Sequence, residues 1–181
     1  PYSPLQLNVR NQWAGFGADA PVTNTLSFHS SLGNDSEFGL GGLVFQESTG
    51  PSSQIGVVLS YAYHVSFGRN SSTRLSFGLS GMFTQHSLNQ DAIEFHDPDP
   101  EFEGGSVSSV VPDAAFGMYV SNRDFYFGAS VQQLFESTFR EASTNLFGEN
   151  DQVRHYLMHA GFNNRIHKEL YLEPSLLIKT I

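Results

Sequence analysis

The side chains able to do chemistry are seven histidines and eighteen carboxylates, with no cysteine among them. His155 and His159 are four apart, a spacing that would align both imidazoles on a helix to share a metal. On a strand they share a face but sit about 13 Å apart at the usual rise per residue, too far for one ion. There is no His-Glu-x-x-His string and no thiolate partner, so no metal site is expected and the histidines read as polar residues of a wet interior. Asp97-Pro98-Asp99-Pro100-Glu101-Phe102-Glu103 concentrates four carboxylates. Hard oxygens could hold calcium, yet the prolines and the missing EF-hand spacing argue against a dedicated cage. A solvated acidic surface and a partner-contact loop are the other two readings. Serine, histidine and aspartate occur without a Gly-x-Ser-x-Gly elbow, and Gly78-Leu79-Ser80-Gly81 falls inside a strand pattern. Gly39-Leu40-Gly41-Gly42 also lies within a strand, where glycine permits bending or close backbone approach, and it is not a phosphate loop. The residues therefore point to no enzyme, no cofactor and no metal.

Composition narrows the classes further. Nine Lys+Arg against eighteen Asp+Glu give a formal charge of -9, which repels phosphate and offers no basic patch for counterion release, so nucleic acid is not a partner. The absence of cysteine excludes a disulfide scaffold, an iron-sulfur cluster and a cysteine nucleophile, and weakly suits an oxidising compartment. Only 15% of residues are charged, against roughly 25% in soluble domains. No apolar run approaches the roughly 20 residues of a membrane helix, but β spans need only about 9 to 11 alternating residues. The opening Pro1-Tyr2-Ser3-Pro4 shows neither an initiator Met nor a signal peptide.

The elements that must position these residues alternate with period two. Ile55, Val57, Leu59, Tyr61, Tyr63, Val65 and Phe67 oppose Gly56, Val58, Ser60, Ala62, His64 and Ser66. Residues 74–84 place Leu75, Phe77, Leu79 and Phe83 opposite Ser76, Gly78, Ser80 and Thr84, and residues 124–132 place Phe125, Phe127, Ala129 and Val131 opposite Tyr126, Gly128, Ser130 and Gln132. Weaker copies at about 5–13, 22–31, 37–46, 113–121, 154–163 and 169–179 bring the strands to about nine. One short helix around 132–137 is compatible with the pattern. Short turns are expected at 32–35, 68–72, 121–124 and about 163–168, all with turn-type residues. Longer loops are expected at 14–21, 47–53, 87–112 and about 135–152. Short and long connections alternating around an antiparallel meander are the habit of outer-membrane barrels.

A lipocalin-like soluble barrel also alternates faces, but its exterior would carry charges. Here the faces opposite the greasy ones are Gly, Ser, Ala, Gln and His, which suit a wet lumen. The expected fold is all-β: an antiparallel transmembrane β-barrel of outer-membrane type, one domain over 1–181. Such barrels normally have even strand numbers and must close in lipid, so nine strands imply a fragment with further strands after Ile181.

Arg10 and Gln12 share one strand face while Asn11 and Trp13 share the other. An arginine facing lipid costs about 2 to 4 kcal/mol near the midplane, so Arg10 is expected to face the lumen. Trp13, at the strand end, suits an indole at headgroup level; direct contact with cargo is the alternative for both. Arg10-Asn11-Gln12-Trp13 with Gly15, then Gly39-Leu40-Gly41-Gly42, Gly50-Pro51, Tyr61-Ala62-Tyr63, Leu75-Ser76-Phe77-Gly78-Leu79, Asp97-Pro98, Pro112-Asp113, Arg154-His155-Tyr156 and Glu173-Pro174-Ser175 together resemble the PorP/SprF family of type IX secretion and gliding-motility membrane proteins of Bacteroidota. The resemblance covers almost the whole chain in order. The acidic loop from Asp97 to Glu103 and the early stop depart from the family pattern. The resemblance implies a non-enzymatic outer-membrane barrel that anchors or helps export a secreted surface adhesin, with other type IX components and outer-membrane lipid as partners. An outer-membrane channel or lipid-type transporter is the alternative. Aromatic side chains are the usual hot spots of a binding loop, which singles out Phe95, Phe102, Phe139 and Phe147 for partner binding; tucking into the barrel mouth is the other reading.

Overall fold

The computed structural model describes residues 3–15, 20–33, 36–67, 72–92, 105–135, 138–139, 150–151, 153–167 and 170–181. Its strands are β1 (Leu5–Asn11), β2 (Val22–Leu32), β3 (Phe38–Thr49), β4 (Ser52–Phe67), β5 (Thr73–Asn89), β6 (Ser106–Ser121), β7 (Phe125–Gln132), β8 (Thr138–Phe139), β9 (Asn150–Asp151), β10 (His155–Phe162), β11 (Asn164–His167), β12 (Leu170–Leu172) and β13 (Ser175–Thr180). Nine of them form one sheet in the order β1-β2-β3-β4-β5-β6-β7-β10-β13, and every pairing within it is antiparallel. The sheet is open, with β1 and β13 as its edges. Gln90–Ala92 forms a single 3-10 turn, and no described helix is long and apolar enough to cross a membrane.

Cross-strand register sorts the side chains into two faces. Tyr63, Tyr61, Leu59 and Val57 on β4 pair with Phe38, Leu40, Gly42 and Val44 on β3 and with Phe77, Leu79, Gly81 and Phe83 on β5. This greasy face is the more exposed one: Leu59 is 63% and Phe83 64% accessible. The opposite face is the sheltered one, with Thr84 at 6% and the charged Asp113 at 3%. Val111, 4% accessible, is the one buried hydrophobic core residue among the described residues, so the sheet has no dry core of its own. A soluble domain hides its large apolar residues. Here each would gain about 1.5 to 3 kcal/mol only on leaving water for another medium.

The ionisable residues locate that medium. Apart from tyrosines, the ionisable residues of the nine strands are Arg10, His29, Glu47, His64, Arg74, His86, Asp113, His155, His159 and Lys179, and the register puts all ten on the sheltered face. Ten independent placements on one face of a two-faced strand would agree by chance roughly once in a thousand. The outer face therefore meets lipid and the inner face meets water. On β6 the outer apolar stretch runs from Val110 to Val120, about 34 Å along the strand at ~3.4 Å per residue. Tilted by about 40°, that spans about 26 Å of membrane, matching the roughly 25 Å band of such barrels.

The structure moves several boundaries expected above. Glu47–Ser53 is no long loop: β3 and β4 continue to a tight turn at Gly50-Pro51, with Gly50 at φ 52°. The loop expected at 87–112 narrows, because β5 runs to Asn89 and β6 begins at Ser106. The short turn expected at 163–168 is replaced by β11 and β12, which continue the β10 and β13 hairpin past the rim. Of the helix expected at 132–137, the described residues show instead a positive φ of 58° at Gln133 and a turn at Leu134-Phe135.

Candidate functional site at the base of the β7 loop

The residues that leave β7 are fastened from β6 on one side and from the start of β10 on the other. Gln133 takes a left-handed backbone conformation, which breaks the ladder so that the Leu134 amide donates to the Ala114 carbonyl of β6 at 3.0 Å. Asp113, buried on the inner face, accepts the Ala114 amide at 2.7 Å and the Phe135 amide at 3.3 Å through Oδ1. On the other side, Arg154 donates from Nε and a terminal nitrogen to the Leu134 carbonyl, both at 3.3 Å. His155 places Nδ1 2.5 Å from the Gln133 side-chain oxygen and 2.9 Å from the Val153 carbonyl. Two stretches far apart in sequence, Pro112-Asp113 and Arg154-His155, thus close on 133–135. A charge-assisted bond to a backbone amide in a sheltered site is the stronger kind, so Asp113 carries more of the fastening than the exposed Arg154.

The other motif residues spread along the wall. Arg10 lies on the inner face of β1 opposite Thr23, in a cross-strand row that continues through Glu47, Gln54 and His86; Gln54 donates to Glu47 Oε2 at 3.0 Å. Asn11 ends β1 opposite Val22, and the Gln12 amide donates to the Pro21 carbonyl at 2.9 Å. Trp13 lies beyond β1 rather than within it, exposed and at a φ of 54°. Gly50 and Pro51 make the β3–β4 turn. Tyr61 and Tyr63 face outward beside Phe38, with ring centroids 6.1 and 5.3 Å from it, within the apolar stretch of the outer face. Tyr156 faces outward between Val131 and Thr180. His155 and His159 share the inner face of β10, and no group of three or more potential metal ligands occurs among the described residues.

Asp97, Pro98, Phe95, Phe102 and Phe147 lie outside the described residues. Phe139 falls in β8, where the backbone pairs with Asn150, and its side chain lies outside the described part. Sequence reasoning quoted Asp113 only as part of a motif and missed its fastening role. Its one available signal was a carboxylate on the inner parity of an otherwise neutral strand.

The outward grease, the inward ionisable residues and the motif residues gathered at a loop base are accompanied by a direct match. The family model of the type IX secretion system membrane protein PorP/SprF matches residues 2–181. The chain belongs to the PorP/SprF family. No curated protein and no solved structure matched it. Membership makes it a membrane component of type IX secretion, and the all-β wall is the form in which it crosses the bilayer.

Proposed function

We propose that this PorP/SprF protein is a non-enzymatic outer-membrane component that anchors surface adhesins, or helps to export them, through the face carrying its long loops. The observation behind this reading is the fastening of 133–135 by Asp113, Arg154 and His155. A loop that merely linked β7 to β10 would not need a buried carboxylate on β6 as well to fix its root, whereas binding loops work best on a rigid scaffold. On the same side, β4, β5 and β6 rise beyond the lipid band with outward Ser53, Gln85, Ser87, Asn89, Ser106 and Ser108, forming a polar rim next to the loops. The partners under this reading are a secreted adhesin, other type IX components and outer-membrane lipid.

The test replaces Phe95, Phe102, Phe139 and Phe147 together by Ser in the full-length protein. Membrane insertion should remain normal and surface display of the cognate adhesin should fall. Normal display at normal insertion would sink the loop mechanism. A second reading, a passive channel, draws on the confinement of the charged and histidine side chains of the nine-stranded sheet to its inner face; steady conductance in planar bilayers without any copurifying adhesin would favour it.

A further inference from the structure

Toward the tight-turn end, the inner wall carries an arrangement that the loop reading does not use. One cross-strand row runs His64, Ser76, Tyr119, Gly128 and His159, and the next row toward the loops runs Ala62, Gly78, Gly117 and Ser130. Glycines seat the rings of the first row. A Cβ at 128 would collide with the His159 ring and one at 161 with the Tyr126 ring, so their absence lets both rings lie flat on the backbone. His159 then stacks on Tyr119 with centroids 5.5 Å apart and planes 25° off parallel, and Tyr126 sits 6.0 Å from His159 and 6.2 Å from Tyr119. Tyr119 keeps 37% of its surface accessible. Where the ring row meets the row of small residues, the wall has a hollow of about 220 Å³ bounded by Ala62, Gly78, Gly117, Tyr119, Ser130 and His159.

The lining selects the kind of occupant. No Lys, Arg, Asp or Glu borders the hollow, and its surface is almost entirely carbon. The hydroxyl of Ser76 at its border is already paired, 2.7 Å from His64 Nδ1. Carbon surface facing a wet lumen is stabilised when an apolar group covers it. Size then sets a limit: an apolar cavity of about 150 Å³ takes one benzene, so a hollow of about 220 Å³ takes one aromatic side chain and little more. Aromatic groups pair with centroids about 4.5 to 7 Å apart, offset or edge to face, and the Tyr119–His159 stack offers that geometry to a third ring. The lining rows lie on the inner face of β4 to β10, so lipid chains are on the other side of the wall. Gly78 and Gly117 in the floor carry no side chain, which lets another backbone run close against the wall.

We infer that this hollow seats one aromatic side chain of an extended polypeptide lying along the inner wall. The polypeptide class rests on the proposed adhesin-handling role, while the aromatic preference rests on the hollow and its rings. The test uses the full-length protein in detergent and a blocked glycine pentapeptide carrying p-benzoylphenylalanine at its centre. Irradiation should crosslink it to the stretches 76–78, 117–119 or 128–130, mapped by mass spectrometry. The same peptide with phenylalanine at its centre should compete at a concentration about two- to tenfold lower than the leucine version, the margin an aromatic pair adds beyond area. Tyr119→Leu keeps apolar bulk and should erase that margin, whereas Tyr119→Phe should preserve it. Gly78→Leu should abolish the crosslink by filling the hollow, because a Cβ there meets nothing nearer than the Tyr61 carbonyl at 4.0 Å. If Gly78→Leu does not insert, the two Tyr119 variants decide alone. Crosslinks that map elsewhere, or equal competition by the phenylalanine and leucine peptides, overturn the site. Benzyl alcohol competing as well as the phenylalanine peptide overturns the polypeptide assignment. The quadruple Phe→Ser protein should crosslink normally, so a failed display experiment leaves this result readable.

Discussion

Asp113 holds one carboxylate oxygen against two backbone amides and keeps the other buried with no partner. Removing the side chain would leave both amides without an acceptor, a cost of about 1 to 3 kcal/mol, concentrated where the chain leaves the wall. Asp113→Ala should therefore speed limited proteolysis in the segment after Gln132, while Asp113→Asn, which keeps the acceptor, should stay close to wild type. Equal cutting of the two variants would remove the fastening role. The glycine seats give a sharper contrast. Gly128→Ala drives a methyl into the His159 ring and should cost about 1 to 3 kcal/mol, as overpacking does. Gly81→Ala meets nothing within 4 Å and should be neutral or stabilise slightly, since glycine in a strand gives up about 0.5 to 1 kcal/mol relative to Ala. Urea unfolding in detergent compares them. The fastening could not be read from local sequence: Asp113 and Arg154 both reach residues 134–135 where a non-glycine residue, Gln133, adopts a positive φ, and nothing in its neighbours announces that.

Each strand presents its apolar side to lipid, so the effect of a charge depends on parity alone. Leu79 sits midway along the outer apolar stretch of β5, and its neighbour Ser80 faces inward with Oγ 2.7 Å from Ser60 Oγ. Leu79→Lys should cost about 2 to 4 kcal/mol at the midplane, whereas Ser80→Lys should cost far less. Unfolding titrations in lipid vesicles would reveal the difference, and similar penalties at both positions would contradict the assignment of faces. The same contrast explains which strands were legible. In β4, β5 and β7 large apolar residues alternate with small or polar ones, and the expected strands match the observed ones through the lipid band. Beyond it the outer face turns polar: Ser53, Gln85, Ser87, Ser106 and Ser108 face outward while Leu88 and Val107 face inward, so the apolar-outward alternation ends although the backbone ladder continues. The hydrophobic signal stopped where the lipid stops, and the loops at 47–53 and 87–112 were overestimated for that reason. The continuation through β11 and β12 was hidden differently, by the polar Asn163, Asn164 and Arg165, which read as turn residues.

On the scale of the whole molecule, the sheet places the chain's single tryptophan in the membrane frame. Trp13 follows β1 on the same side as the long loops, two residues past the outward Asn11 and exposed, which puts it near the headgroups rather than the hydrocarbon centre. Brominated lipids should quench its fluorescence most when the bromine is shallow. Strongest quenching by bromine deep in the tails would move the whole sheet relative to the bilayer. The tall strands β4, β5 and β6 have a mechanical consequence as well. A pull on the connection between β5 and β6, directed away from the membrane, would run along the strands, parallel to the ladders that join β5 to both neighbours. Those ladders extend over Ser52 to Phe67 on one side and Ser106 to Ser121 on the other. Load applied that way is shared by many hydrogen bonds in shear instead of peeling them one pair at a time, so a tether attached there would resist drag better than the same bonds could if they were unzipped from an end.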